Sequence, residues 1–198
     1  MRIPFIKRAS VDKFDPAQAA FIKDSQGGSA FIFAGVLFWV MAGLVSVFAP
    51  ISIAVAFYIF GGFSVPVLGF VIARMQGAEL NFKSKYTILV IISDAVTVFG
   101  LPLLFLLKQF DPRLVAPALS IINAAHLLIM MWVQLDYTYF LLAMVGLMIG
   151  LFFGFSLPEY ALVGTGLLYG FVSLFAGFLV QASSHDPLKP YIKQMGDE

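Results

Sequence analysis

The chain has 198 residues, of which 61% are hydrophobic and 12% charged, with a net charge of +1 and no cysteine. A soluble domain carries roughly 25% charged residues, so half that proportion leaves too little polar surface to cover a globule in water. The near-zero net charge argues against a nucleic-acid partner, and the missing cysteines exclude disulfides, thiolate metal sites and thiol nucleophiles.

Residues 1–27 are polar and basic, with Phe5, Ile6, Phe14, Phe21 and Ile22 interleaved among Arg2, Lys7, Arg8, Lys13 and Lys23. That mixture predicts an amphipathic segment lying at the membrane surface, aromatic groups among headgroups and lysines toward anionic lipid. A regulatory or partner-binding arm is the alternative. Asp15-Pro16 predicts an N-cap followed by proline at the first helical position, and Gly27-Gly28 ends that short helix.

Residues 25–73 then hold no charged side chain. A membrane-crossing helix needs about 20 apolar residues, so this run predicts two helices joined at Pro50. The first apolar run is longer than the roughly 7–15 residues of a cleaved signal core, which predicts a retained helix. The same pattern continues along the chain and places six spans near 28–49, 51–73, 87–107, 113–134, 138–156 and 158–182. The expected fold is all-α: one six-helix transmembrane bundle of three antiparallel hairpins over residues 28–182, followed by a polar tail, 183–198.

Several local signals punctuate the spans. Gly61-Gly62 with Pro66, and Gly100 with Pro102, predict distortions in the second and third spans. Asp111-Pro112 starts the fourth. Ser156-Leu157-Pro158-Glu159 reads as a capping box opening the sixth, with an outer vestibule as the other role for Glu159. An even span count puts both termini on one side. That side then holds ten of the twelve Lys and Arg residues, leaving Lys108 and Arg113 opposite. The positive-inside rule places both termini in the cytoplasm.

Two ionisable groups fall well inside predicted spans, Asp94 and His126. Such groups cost about 2.5–3.5 kcal/mol at a helix centre on insertion scales. Counting in from the cytoplasmic ends at 1.5 Å per residue gives depths of roughly 10 and 12 Å, so the two can meet between antiparallel neighbours. Thr87, Asp94 and Thr97 share one face of their helix; Ser120, Asn123 and His126 follow at three-residue steps on the next. The pair is either an interhelical clamp or a protonatable element of a polar pathway, with Asn123, Thr97 and Ser120 as its neutral hydrogen-bonding groups. A serine-type triad from Ser93 or Ser120 with Asp94 and His126 would need a geometry the sequence does not signal, and no nucleophile elbow is present. Ser184-His185-Asp186 is merely consecutive. One intramembrane histidine is too few for a protein-built zinc site of about three or four ligands; no metal or cofactor is expected.

Gly146, Gly150 and Gly154 form a small-residue series on the fifth span, and Gly166, Gly170 and Gly177 another on the sixth. Small residues let helix backbones approach closely. The expectation is that these two helices pack on each other, or present a face to a second copy or a membrane partner.

Ala125-His126, Trp132, Tyr137 or Tyr139, and the Phe99 to Pro102 segment together resemble a family of small uncharacterised bacterial six-helix integral membrane proteins, over roughly residues 27–180. Ile129 stands where that family's pattern has proline. The resemblance implies bacterial origin and a shared fold; it brings no activity. The function expected first is a small-solute or ion permease, proton-linked through Asp94 and His126. A non-catalytic scaffold or accessory subunit is the second expectation, and an intramembrane lipid-acting enzyme the third.

Overall fold

A computed structural model describes residues 15–79 and 83–184. The basic residues before Asp15 and the tail after Ser184, including His185 and Asp186, lie outside that range. The described chain is all-α, with no strand among the described residues.

Helix α1 spans Pro16–Asp24 and starts as its sequence dictates: Asp15 Oδ1 accepts from the Ala17 amide at 2.9 Å, with Pro16 at the first position. Gly27 and Gly28 take φ of 63° and 75°, a region glycine enters without steric cost. They turn the chain into α2, Ser29–Phe48.

After Pro50 come α3, Ile51–Gly61, and α4, Ser64–Met75, bent by 57° at the break between them. The break has a local cause. A proline ring clashes with the carbonyl four residues back, here Gly62, and Gly61-Gly62 offers no side chain to hold the helix through. Ser64 Oγ donates to the Gly61 carbonyl at 2.6 Å, satisfying an acceptor that the break leaves without its helical partner.

Helix α5, Lys85–Phe110, carries Pro102 in its interior and runs through without a break. Asp111 caps a short 3-10 turn that leads into α6, Val115–Gln134, and grips the Arg113 guanidinium with both carboxylate oxygens. Asp136 caps α7, Tyr137–Phe155, accepting from the Thr138 amide at 2.8 Å. A second 3-10 turn, Pro158–Tyr160, precedes α8, Ala161–Ser184. The expected capping box does not form: Ser156 closes α7, and Leu157 takes the cap position of the turn with no side-chain bond. Proline at 158 fixes the first helical position one residue too late for Ser156 to cap it.

Among the described residues, five helical segments are long and apolar enough to cross a membrane, and α3 with α4 passes the same test as one bent pair. Phe48, Phe99 and Phe155 are each more than 80% exposed, as only a lipid environment tolerates on this scale. The chain is therefore a multi-pass membrane protein.

The helices form a partial ring in the order α4, α2, α8, α7, α6, α5. The α2–α8 contact is the most extensive, α6–α7 follows, and α4 and α5 scarcely touch. The glycine series serve this order rather than the one expected. On α8, a Cβ at Gly166 would stand 2.7 Å from Gly43 Cα, one at Gly170 2.7 Å from Val40 Cγ2, and one at Gly177 2.8 Å from the Phe33 ring, all on α2. On α7, Gly150 faces Ser120 and Pro117 of α6, and Gly154 faces Pro117 more loosely. Of the two series only Gly146 makes room for the opposite helix, taking the Tyr169 ring of α8. Helices with small faces meet whichever neighbour the topology supplies, and here that is mainly α2 and α6.

The described part of the N-terminal segment docks onto the bundle instead of lying free at its surface. Gln18, Phe21 and Ile22 are buried. Gln18 Nε2 donates to the Trp132 and Val133 carbonyls, both at 3.0 Å, which are among the carbonyls that the end of α6 leaves without helical partners. Phe21 packs with Tyr86 and Val133. Asp15 pairs with Lys85 and accepts from Tyr86 Oη at 2.8 Å. The Lys85 ammonium, then the Tyr86 hydroxyl and the Ala17 amide, hold the Asp15 carboxyl down at about 2, against 3.8 ordinarily.

Candidate functional site

The seam of α5 that meets α6 is written as Tyr86, Val90, Ser93, Thr97, Gly100 and Leu104, at alternating four- and three-residue steps. Ser93 sits at its centre and is fully buried. Its hydroxyl lies 2.8 Å from His126 Nδ1 and 3.1 Å from the His126 carbonyl oxygen. One assignment satisfies both contacts: Ser93 donates to the carbonyl, and Nδ1–H donates to Ser93 Oγ. Nε2 is then the ring nitrogen left for the cavity that His126 lines.

Asp94 stands one residue round the helix, at the edge of the seam. Its Oδ1 is 3.5 Å from His126 Nδ1, beyond the roughly 2.7–3.2 Å of an N–H···O hydrogen bond. The expected depth match therefore holds and the two groups are neighbours, but the hydrogen bond that orients the imidazole belongs to Ser93. Asp94 keeps 48% of its side chain exposed against 16% for His126, which leaves its carboxylate room for a ligand. Serine, aspartate and histidine thus converge, yet both the hydroxyl and the acid address Nδ1. A nucleophilic triad needs the serine on one ring nitrogen and the acid on the other, so this arrangement is not one.

Asn123 lies one turn from His126 on α6, and its Nδ2 donates to Tyr169 Oη at 2.8 Å. Gly146 is what lets the Tyr169 ring reach that point, since any side chain there would strike it. Ser120 faces the other way. It is fully buried and donates to the Pro117 carbonyl at 2.9 Å, with the Gly146 carbonyl at 3.2 Å, so it ties α6 to α7. The structure brings Asp94, Thr97, Asn123 and His126 together and leaves Ser120 in the packing.

Those four line one cavity of about 210 Å³. Phe31, Phe38 and Trp39 of α2 and Tyr58 of α3 supply its aromatic lining; Gly62, Phe63, Val65 and Pro66 at the α3–α4 break line it too. Gly28 and Tyr139 close one end, where Tyr139 Oη donates to the Gly27 carbonyl at 2.6 Å. Phe63 and Val98, 55% and 52% exposed, line the cavity from either side of the seam where α4 and α5 fail to pack. The volume is below the roughly 300–1,000 Å³ of pockets that take drug-sized ligands. Among the described residues no group of three or more metal-ligating side chains is present.

The sequence signals for Ser93 and for the lining at the α3–α4 break were present but pointed elsewhere. Ser93 falls on the four–three seam, whereas the polar stripe through Thr87, Asp94 and Thr97 drew attention to its neighbour. The glycine pair and Pro66 foretold a distortion without showing that it would line the same cavity as Asp94.

The model of a family of unknown function, DUF7010, matches residues 14–183. No curated protein and no solved structure matches the chain.

Proposed function

We propose that this chain, which belongs to the DUF7010 family of unknown function, is a small-solute permease, proton-linked through Asp94 and His126. One observation carries the reading. A single cavity is lined both by the break between α3 and α4 and by an acid, an amide and an imidazole. Discontinuous helices facing ionisable groups near mid-membrane are how transporters commonly build a solute site.

The proposed topology is six crossings in three antiparallel hairpins, α3 and α4 together making one. It is supported by the two described ends: a Cβ at Gly27 would stand 2.9 Å from Val180 Cγ1 and 3.2 Å from Ser184 Cβ. Chain entry and exit at the same end of a bundle need an even number of crossings. The charge asymmetry then assigns that end to the cytoplasm of a bacterial cell, with the basic segment 1–27 and the tail 183–198 on that side. The scaffold reading loses its main support, because the glycines it relied on are filled within the chain.

Proteoliposomes holding a pH-sensitive dye, challenged with a panel of small solutes, test the proposal. Solute-dependent proton movement is expected, and it should be lost in Asp94→Asn while insertion and melting stay unchanged. Undiminished coupled flux in that variant would remove Asp94 from the mechanism.

A further inference from the structure

The cavity also carries information about what it takes. Its wall has one carboxylate, Asp94, and no lysine or arginine. Its other titratable lining groups are His126, Tyr58 and Tyr139, none of them cationic while the imidazole is neutral. Tyr58 and Tyr139 spend their hydroxyl protons on the Leu162 and Gly27 carbonyls. Most of the remaining wall is aromatic or aliphatic. A half-exposed carboxylate set among aromatic rings is complementary to a positive charge carried on an apolar body: the charge faces Asp94, and the body and its cationic edge lie against ring faces.

The same geometry describes the way in. Phe63 and Val98 are exposed and line the cavity on facing sides of the α4–α5 seam, so the opening lies along the flank of the bundle that lipid covers. A molecule entering there must partition into a bilayer first.

We infer that the cavity binds a small lipophilic organic cation, admitted sideways from the bilayer between α4 and α5 and held by Asp94 in competition with protons. The competition follows from charge counting. With His126 neutral and Asp94 ionised the cavity has one negative charge for one cation. A proton taken by either group cancels that charge, so binding weakens as pH falls. This inference rests on the cavity being a solute site, and its test separates binding from flux.

The test uses the purified full-length protein in a non-ionic detergent with benzyltrimethylammonium, whose charge does not change with pH, and its uncharged isostere neopentylbenzene. The chain has two tryptophans; Trp39 lines the cavity, and Trp132 is exposed outside it. In a Trp132→Phe background, emission reports from Trp39 alone. The expected result is a saturable change with the cation, weaker at low pH, and little response to the isostere. Asp94→Asn should weaken binding about tenfold or more, a loss of roughly 1.4 kcal/mol. Equal binding of the isostere, or unchanged affinity in Asp94→Asn, would overturn the inference. Cation binding without any coupled proton flux in proteoliposomes would uphold it and sink the permease reading. Coupled flux of an uncharged solute with no cation binding would do the reverse.

Discussion

Substituting Gly166 by alanine tests the α2–α8 contact at its tightest point. The added methyl would lie 2.3 Å from Tyr58 Oη and 2.7 Å from both Gly43 Cα and Gly43 N. Two of those three atoms are backbone, so no rotamer change can clear them, and the two helices must separate. The third is held by the Tyr58 Oη bond to the Leu162 carbonyl at 2.6 Å, which must break or stretch. Overpacking costs about 1–3 kcal/mol, and the lost hydrogen bond adds roughly 0.5–1.5 kcal/mol. Alanine returns up to about 1 kcal/mol through its better helix preference. The net loss is about 0.5–4.5 kcal/mol, which at roughly 2–4 °C per kcal/mol for a chain of this size lowers the melting temperature by about 1–18 °C. Melting of the detergent-solubilised protein, followed by tryptophan emission, reads the shift directly, because Trp39 lies 4.8 Å from the Tyr169 ring in this same contact. Gly154→Ala is the matched control: its new methyl would meet only Pro117, Cβ at an ordinary 3.4 Å and Cγ at 3.9 Å, and its stability should stay within about 0.5 kcal/mol of wild type or rise slightly. Equal melting of Gly166→Ala and wild type, or an equal drop in both variants, would refute the packing argument.

Gln18→Ala should loosen α1, since it takes both bonds from the Trp132 and Val133 carbonyls. A local cost of about 1–3 kcal/mol is expected, visible as faster amide exchange along Pro16–Asp24; unchanged exchange there would show that α1 is held by its apolar contacts alone. Asp15 gives α1 an acid sensitivity of definite sign. Its folded value of about 2 lies below the ordinary 3.8, so its contribution is complete above the unfolded value and disappears as pH falls through the folded one. Amide exchange in α1 should accelerate between roughly pH 4 and pH 2 in the wild type, and Asp15→Asn should abolish that step; a step surviving in the variant would assign it to another group. Ser93→Ala should free the His126 ring without emptying the cavity, so benzyltrimethylammonium binding should persist; loss of binding would mean that the Ser93–His126 contact shapes the site itself.

Local signals in this sequence were easy to read because each depends on a few adjacent residues. Asp15-Pro16 starts a helix, Gly27-Gly28 turns the chain, and Gly61-Gly62 with Pro66 breaks a span, all by short-range sterics. The depth match of Asp94 and His126 followed from helical rise alone. What stayed hidden was choice of neighbour. Gly166, Gly170 and Gly177 mark a face that can be approached closely, but nothing near them in sequence says that α2, more than a hundred residues earlier, is what approaches. Ser120 and Asn123 looked equivalent at three-residue spacing, yet the offset of roughly 60° between them round the helix sends one into the α7 contact and the other toward Tyr169. The capping box failed for a different reason: its residue types were right, and Pro158 displaced the helix start past them.

The pairing of α2 with α8 also sets a constraint on biogenesis. Among the described spans the first has its principal partner in the last, so the most extensive contact is also one of the longest in sequence separation. Closing it must wait until α8 has been inserted. Until then Gly43 and the aromatic face of α2 at Trp39 stand open to lipid or to an insertion chaperone. A nascent chain halted before Ala161 would carry the Asp94–His126 pair but lack Ser173 of the cavity wall, the tyrosine that holds Asn123, and the helix against which α2 closes.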